Sequence, residues 1–131
     1  MKIVVVSGGF DPVHSGHIAY FNSAKELGDK LIVALNSDKW LINKKGKFFM
    51  PFEERSTIIK NLAMVDEVID FEDDEFGSAS HALIKIKESY PNNEIIFCNG
   101  GDRTEQNIPE MQIEDINFEF GVGGEDKKNS S

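Results

Sequence analysis

Hydrophobic positions fall into short continuous runs and helical spacings that alternate from the first residue onward. Ile3-Val4-Val5-Val6 is a β-branched run, the pattern of a strand buried on both faces. Beyond Ser7-Gly8-Gly9, the residues Ile18, Phe21, Ala24 and Leu27 recur at near-helical spacing. They predict a helix from about Ser15 to Leu27, with Gly28 at its C-terminal cap. Leu31-Ile32-Val33-Ala34-Leu35 predicts a second buried strand, and a lysine-rich loop is expected over 43–47. Pro51 opens another helix, with Glu53 and Glu54 in the first turn where carboxylates suit the helix dipole. Its apolar face is expected to use Phe52, Ile58, Ile59 and Leu62. A third strand is predicted over Val65–Phe71, a helix over Ala79–Tyr90 and a fourth strand over Ile95–Cys98. Ile116 to Phe120 alternates apolar and acidic residues, as a fifth strand nearer an edge would.

Strands alternating with helices at short connections imply a parallel sheet covered on both faces. Right-handed crossovers then restrict the α/β fold to a doubly wound, Rossmann-like sheet of five strands. No internal repeat or domain-splitting linker interrupts the pattern, so residues 1–131 are expected to form a single domain. Such sheets bind ligands at the carboxyl ends of strands, near the point where strand order reverses. The turn after the first strand is the place to look.

Composition narrows the choice further. Fourteen basic against twenty-three acidic residues leave a net charge of −9, which argues against a nucleic-acid-binding surface. No apolar run approaches the ~20 residues that span a bilayer, and the opening strand is too short for a signal-peptide core. The single cysteine, Cys98, has no partner for an internal disulfide, so a reduced, cytoplasmic setting is expected. It ends the apolar run Ile95-Ile96-Phe97 and reads as a buried structural residue. The acidic run Glu72-Asp73-Asp74-Glu75 reads as a solvated loop rather than a metal or partner site.

The candidate chemistry lies in Ser7-Gly8-Gly9-Phe10-Asp11-Pro12-Val13-His14-Ser15-Gly16-His17, between the first strand and the first helix. Glycines let backbone approach a ligand, and a helix start offers free N–H groups to anionic oxygens. His14 and His17 are three apart with Gly16 between them, so both imidazoles can face one phosphate group. A turn needs neither histidine. Asp11 could bind metal-associated water or fix the loop by accepting backbone N–H bonds, and the second is the favoured reading.

At His-x-Gly-His the chain resembles the cytidylyltransferase-like nucleotidyltransferase superfamily, over nearly its whole length. It is most similar to the short bacterial types, glycerol-3-phosphate cytidylyltransferase and the heptose-1-phosphate adenylyltransferase domain. The resemblance implies an enzyme in which His14 and His17 stabilise charge at the α-phosphorus of a nucleoside triphosphate. It implies a loop lysine on the phosphates, with Lys44 the nearest match and Lys47 a second. Arg55, in Pro51-Phe52-Glu53-Glu54-Arg55, resembles the segment that places an arginine near the phosphates. Asp38 either orients the acceptor substrate or caps the following turn. Asn99-Gly100-Gly101-Asp102-Arg103 resembles the segment that lies against ribose and base. There Gly100 permits close approach, Asp102 would accept from sugar hydroxyls, and Arg103 would take the acceptor phosphate. The nucleotide site is therefore expected to comprise Gly8, Gly9, Phe10, Asp11, His14, Gly16, His17, Lys44, Arg55, Gly100, Asp102 and Ser130.

Ser130 and Ser131 resemble the start of a final helix whose N-terminus holds phosphate, preceded here by Lys127 and Lys128 in place of an arginine. The sequence ends at that point, so a truncated or reduced phosphate cradle is the expectation. Trp40 could cover a bound nucleotide or pack into the core. His81 reads as part of a solvated face. The resemblance further implies Mg²⁺ arriving with the nucleotide, and a homodimer. An acceptor phosphate oxygen would attack the α-phosphorus and release pyrophosphate. The compact single domain favours CTP with a polyol or sugar phosphate, while the Asn36-Ser37-Asp38 and Asn99-Gly100-Gly101-Asp102 segments favour ATP. CTP is the narrow first expectation, with an ATP-dependent heptose-1-phosphate type or a non-catalytic nucleotide-binding module as alternatives. Phe10-Asp11-Pro12 is also shared with phosphopantetheine- and nicotinamide-type adenylyltransferases.

Overall fold

The structure, a computed structural model, describes residues 1–73, 79–100 and 116–122, with backbone alone at 99–100 and 120–122. The elements run β1 (Lys2–Gly8), α1 (Ser15–Lys25), β2 (Lys30–Leu35), α2 (Asp38–Lys45), α3 (Phe52–Lys60), β3 (Glu67–Ile69), α4 (Ser80–Ser89), β4 (Glu94–Gly100) and β5 (Ile116–Val122). The five strands lie in the order β3-β2-β1-β4-β5, all parallel. Strand order reverses between β1 and β4, so the switch point opens at the carboxyl end of β1.

The central strands carry the core because both their faces are apolar. Val4, Val6, Leu31 and Val33 pack under α1 and α3 with Phe21, Ala24 and Ile59. Ile3, Val5, Ile32, Ala34 and Phe97 pack on the opposite face against Ala82, Leu83 and Ile86 of α4. The expected doubly wound α/β sheet is the one observed.

Several local expectations are corrected. Asn43, Lys44 and Lys45 end a helix, and only Gly46 and Lys47 of the expected lysine-rich loop lie beyond it. Ser37 caps α2 by accepting from the Trp40 N–H at 3.0 Å, and Gly46 closes it in the left-handed conformation at φ 84°. Gly28 is not the cap of α1, whose C-cap is Glu26. Its missing side chain instead allows close packing, since a Cβ there would meet Val4 Cγ2 at 2.6 Å and the Lys2 carbonyl at 2.9 Å. On α3, Ile58 is exposed, and its expected core place is taken by Arg55, which is fully buried. The third strand is also shorter than its apolar run, because only Glu67–Ile69 finds a partner in β2. Cys98 is buried as expected, and burial pushes its thiol pKa up to about 12.

Candidate active site

The turn after β1 is held by its own side chains. A Cβ on Gly8 would lie 2.8 Å from the Phe10 ring, and one on Gly9 would lie 2.6 Å from Leu41 of α2. Both glycines therefore let the loop pack closely against the Phe10 and Leu41 side chains. Phe10 takes a left-handed φ of 50°, strained for a residue with a Cβ. Its ring compensates by packing edge-on against His17 at 4.9 Å and Phe21 at 5.0 Å.

The two histidines form a reciprocal helix cap. His14 is the N-cap of α1, and its Nδ1 accepts from the Gly16 N–H at 3.1 Å. His17, one turn in, accepts the His14 N–H on its own Nδ1 at 3.2 Å. A ring whose Nδ1 accepts must carry the proton of its neutral form on Nε2. The backbone thus fixes the same tautomer in both rings, which stack at 3.8 Å between centroids with 23° between planes. His17 is buried, and desolvation, followed by the neighbouring His14, lowers its pKa from 6.5 to about 4. At neutral pH it is an uncharged imidazole that carries its proton on Nε2.

Asp11 fixes the loop, the favoured of its two expected roles. Its fully buried carboxylate accepts the Phe49 and Met50 N–H groups, both at 2.7 Å. The signature loop is thereby tied to the chain that leads into α3. The Asp11–Pro12 peptide bond is cis.

Arg55 is placed differently from expectation. Its guanidinium donates to the carbonyls of Met50 at 2.9 Å, Gly9 at 2.8 Å and Asn36 at 2.9 Å, and to Asp38 Oδ1 at 2.7 Å. With no exposed surface and four bonds to protein, it braces the signature loop against the end of β2 instead of facing phosphate. Asp38 is its ion-pair partner and the first residue of α2, while the cap itself is Ser37.

The lysines sort by helix face. Lys44 lies over the Trp40 indole at 4.6 Å, outside the signature loop. Lys45 reaches that loop, donating to the Asp11 carbonyl at 3.0 Å. The motif alone does not single out Lys45, yet it sits four residues after the buried Leu41, on the helix face that packs against Gly9. Once α2 is known to be helical, that spacing identifies it. Trp40 flanks the loop as well, since a Cβ on Gly9 would lie 3.4 Å from its ring. Tyr20, which no motif marks, donates its hydroxyl to the Cys98 carbonyl at 3.0 Å and ties α1 to the carboxyl end of β4. His81 is exposed, with Nδ1 3.0 Å from the Glu72 carbonyl, in keeping with a solvated face. Gly100 ends β4 at the switch point. Asp102, Arg103 and Ser130, like Asp74, Glu75, Lys127, Lys128 and Ser131, lie outside the described residues.

Among the described residues, no group of three or more His, Cys, Asp or Glu side chains could hold a metal ion. Nor is any helix there long and apolar enough to cross a membrane.

A parallel sheet whose order reverses beside a paired-imidazole cap defines an α/β domain of the doubly wound, Rossmann-like class. The chain belongs to the cytidylyltransferase-like family of nucleotidyltransferases, which matches residues 5–126. It is 35% identical over 126 residues to the bifunctional protein HldE of Hahella chejuensis (strain KCTC 2396), covering 95% of this chain and 24% of that protein. It is 37% identical over 112 residues to the bifunctional protein HldE of Enterobacter sp. (strain 638), covering 77% and 24%. The chain thus spans about a quarter of the length of these curated relatives. Its fold is similar to that of the lipopolysaccharide core biosynthesis protein from Thermoplasma volcanium GSS1, with TM-score 0.70, 24% identity, and coverage of 92% of this chain and 95% of that one.

Proposed function

We propose that this domain transfers an adenylyl group from ATP to a sugar 1-phosphate of the heptose type, releasing pyrophosphate. The observation that carries the reading is the reciprocal cap, which gives His14 and His17 the same Nε2–H tautomer on one stacked pair. An oxygen of the acceptor phosphate attacks the α-phosphorus in line. A new P–O bond forms as the bond between the α-phosphorus and the bridging oxygen to the β-phosphorus breaks. The acceptor is already anionic, so positioning and charge neutralisation supply the rate without a strong base. The two Nε2–H groups donate to phosphoryl oxygens as charge develops there.

Lys45 touches the loop at Asp11, Lys44 and Lys47 keep the phosphate role that the resemblance implies, and Asp102, Arg103 and Ser130 keep the nucleotide or acceptor roles that their motifs imply. Both oxygens of Asp11 are occupied by backbone N–H groups, so that carboxylate is a poor ligand for a resident ion. Mg²⁺ therefore enters as part of the nucleotide substrate, held by phosphate oxygens and water. A homodimer remains part of the proposal on family resemblance.

ATP takes the place of CTP as the favoured nucleotide. Identity of 35–37% to HldE proteins supports the heptose-1-phosphate adenylyltransferase resemblance. Compactness loses its force as an argument for CTP, because the matched segment is about a quarter of a larger protein in these relatives. The test is pyrophosphate release with Mg²⁺, offering ATP and CTP separately with heptose 1-phosphate, hexose 1-phosphates and glycerol 3-phosphate. Release with ATP and a sugar 1-phosphate is expected. Release only with CTP and glycerol 3-phosphate would overturn the assignment.

A further inference from the structure

The chain has two tyrosines, and their hydroxyls serve opposite ends of the sheet. Tyr90 donates to Glu67 and accepts from Lys30, the first residues of β3 and β2. Tyr20, on α1, donates to the Cys98 carbonyl at 3.0 Å, near the carboxyl end of β4. Cys98 is buried, and a buried carbonyl needs a donor.

The strand ladder weakens at this point. β4 pairs with β1 from Lys2 with Glu94 to Val5 with Phe97, while β1 stays paired with β2 as far as Gly8 with Leu35. Beyond Phe97, β4 and β1 part. On its other side, β4 loses regular register with β5 between Cys98 and Gly100. The last residues of β4 thus have less strand support than the rest, and the Tyr20 hydroxyl ties them to α1.

α1 is also the helix that carries the histidine pair. Tyr20 lies three residues after His17, one turn further along the same face. One element therefore presents both imidazoles and the hydroxyl that holds β4. In the proposed reaction the phosphates meet α1 at its N-terminus, and the nucleoside must leave on one side of the signature loop. The β2 side is filled by protein. There a Cβ on Gly9 would lie 2.6 Å from Leu41 and 3.4 Å from Trp40, and the buried Arg55 donates to the Gly9 and Asn36 carbonyls. The other side is the parting of β1 and β4, the crevice where doubly wound sheets take their ligands. Its far wall is the end of β4.

We propose that Tyr20 is a positioning residue for nucleotide binding. Through the Cys98 carbonyl it sets the end of β4 as a wall for the nucleoside, in fixed relation to His14 and His17. This rests on the nucleotidyl-transfer reading for the ligand, and on the hydrogen bond and strand register for the role.

Calorimetric titration of the full chain with Mg-ATP, Mg-CTP and Mg-tripolyphosphate tests it, in wild type, Tyr20→Phe and Tyr90→Phe. Tyr20→Phe keeps the half-buried ring and deletes only the hydroxyl, so the fold is expected to be kept. It should weaken the nucleotide that the wild-type chain binds by roughly three- to tenfold, the size of one lost hydrogen bond. Tripolyphosphate carries no nucleoside, and its affinity should stay within about twofold. Tyr90→Phe makes the same deletion at the amino end of the sheet. It should lower Tm while nucleotide affinity stays within about twofold of wild type. In pyrophosphate release, Tyr20→Phe should raise KM for the nucleotide while kcat stays within about twofold. Unchanged nucleotide affinity in Tyr20→Phe would overturn the role, as would a wild-type chain that binds neither nucleotide. Equal losses for nucleotide and tripolyphosphate would also overturn it, by moving the effect to the phosphate end. So would equal losses in the two tyrosine variants, which would reduce the effect to general loosening of the fold. The expected binding pattern without pyrophosphate release would leave the role of Tyr20 standing and sink the transferase reading instead.

Discussion

Two histidines in one helical turn do the local work of a cap and, in the proposed reaction, the work of charge stabilisation. Their Nδ1 atoms serve the helix, so in the proposed reaction the Nε2–H groups are the donors. His17→Ala is expected to lower kcat by ~10²–10³-fold with a much smaller change in nucleotide binding. Equal losses in turnover and binding, measured by steady-state kinetics and calorimetry, would contradict the transition-state role. His17 also makes stability depend on pH. Its folded pKa, about 4, lies below its unfolded value of 6.5, so the folded state takes up the proton only at lower pH. The contribution is complete above pH 6.5 and is lost as pH falls toward 4, a change of about 3 kcal/mol. Urea unfolding between pH 7 and 4 checks this, and His17→Gln should flatten that part of the profile. Arg55 illustrates a different residue-level effect. Arg55→Met would leave three carbonyls and Asp38 without their donors, and should cost about 3 kcal/mol or more in denaturant unfolding.

At the scale of elements, two glycines that each follow a helix answer to different physics. Gly46 has φ 84° with nothing within 4 Å of where a Cβ would stand, so its substitution costs backbone strain alone. Gly28 has no left-handed requirement, yet a Cβ there would press on the Lys2 carbonyl and Val4 of the central strand. Gly46→Ala is expected to destabilise by about 1 kcal/mol. Gly28→Ala should cost about 1–3 kcal/mol, because neighbouring backbone must move. Thermal unfolding of both variants compares them directly, and a Gly46→Ala loss larger than that of Gly28→Ala would reverse the assignment. The same distinction explains why Gly28 reads as a cap in sequence. Its position after a helical run carries the signal of a turn, while the cause is contact with a strand distant from that turn.

For the whole molecule, β1 and β2 are buried on both faces and paired on both sides, whereas β3 contributes three residues at an edge. Native-state hydrogen exchange should therefore be slowest at Val4, Val5, Ile32 and Val33, and faster at Val68. Equal protection along β3 and β1 would contradict this view of the core. The strands, their parallel arrangement and the histidine pair are legible in the chain because each has a local signature. β-branched runs mark doubly buried strands, and His-x-Gly-His needs only four adjacent residues to be seen. Arg55 and Lys45 are not legible in the same way. The partners of Arg55 come from segments up to 46 residues away, and charge alone predicts an exposed side chain. Lys45 is separable from Lys44 and Lys47 only once α2 proves helical, since helical phase decides which lysine meets the signature loop. The sequence by itself determined the fold class and the histidine pair, whose causes are hydrophobic period and adjacency along the chain. Tertiary structure alone decided which charged side chains brace the loop and which stay exposed, because desolvation and pairing depend on neighbours brought together from separate segments.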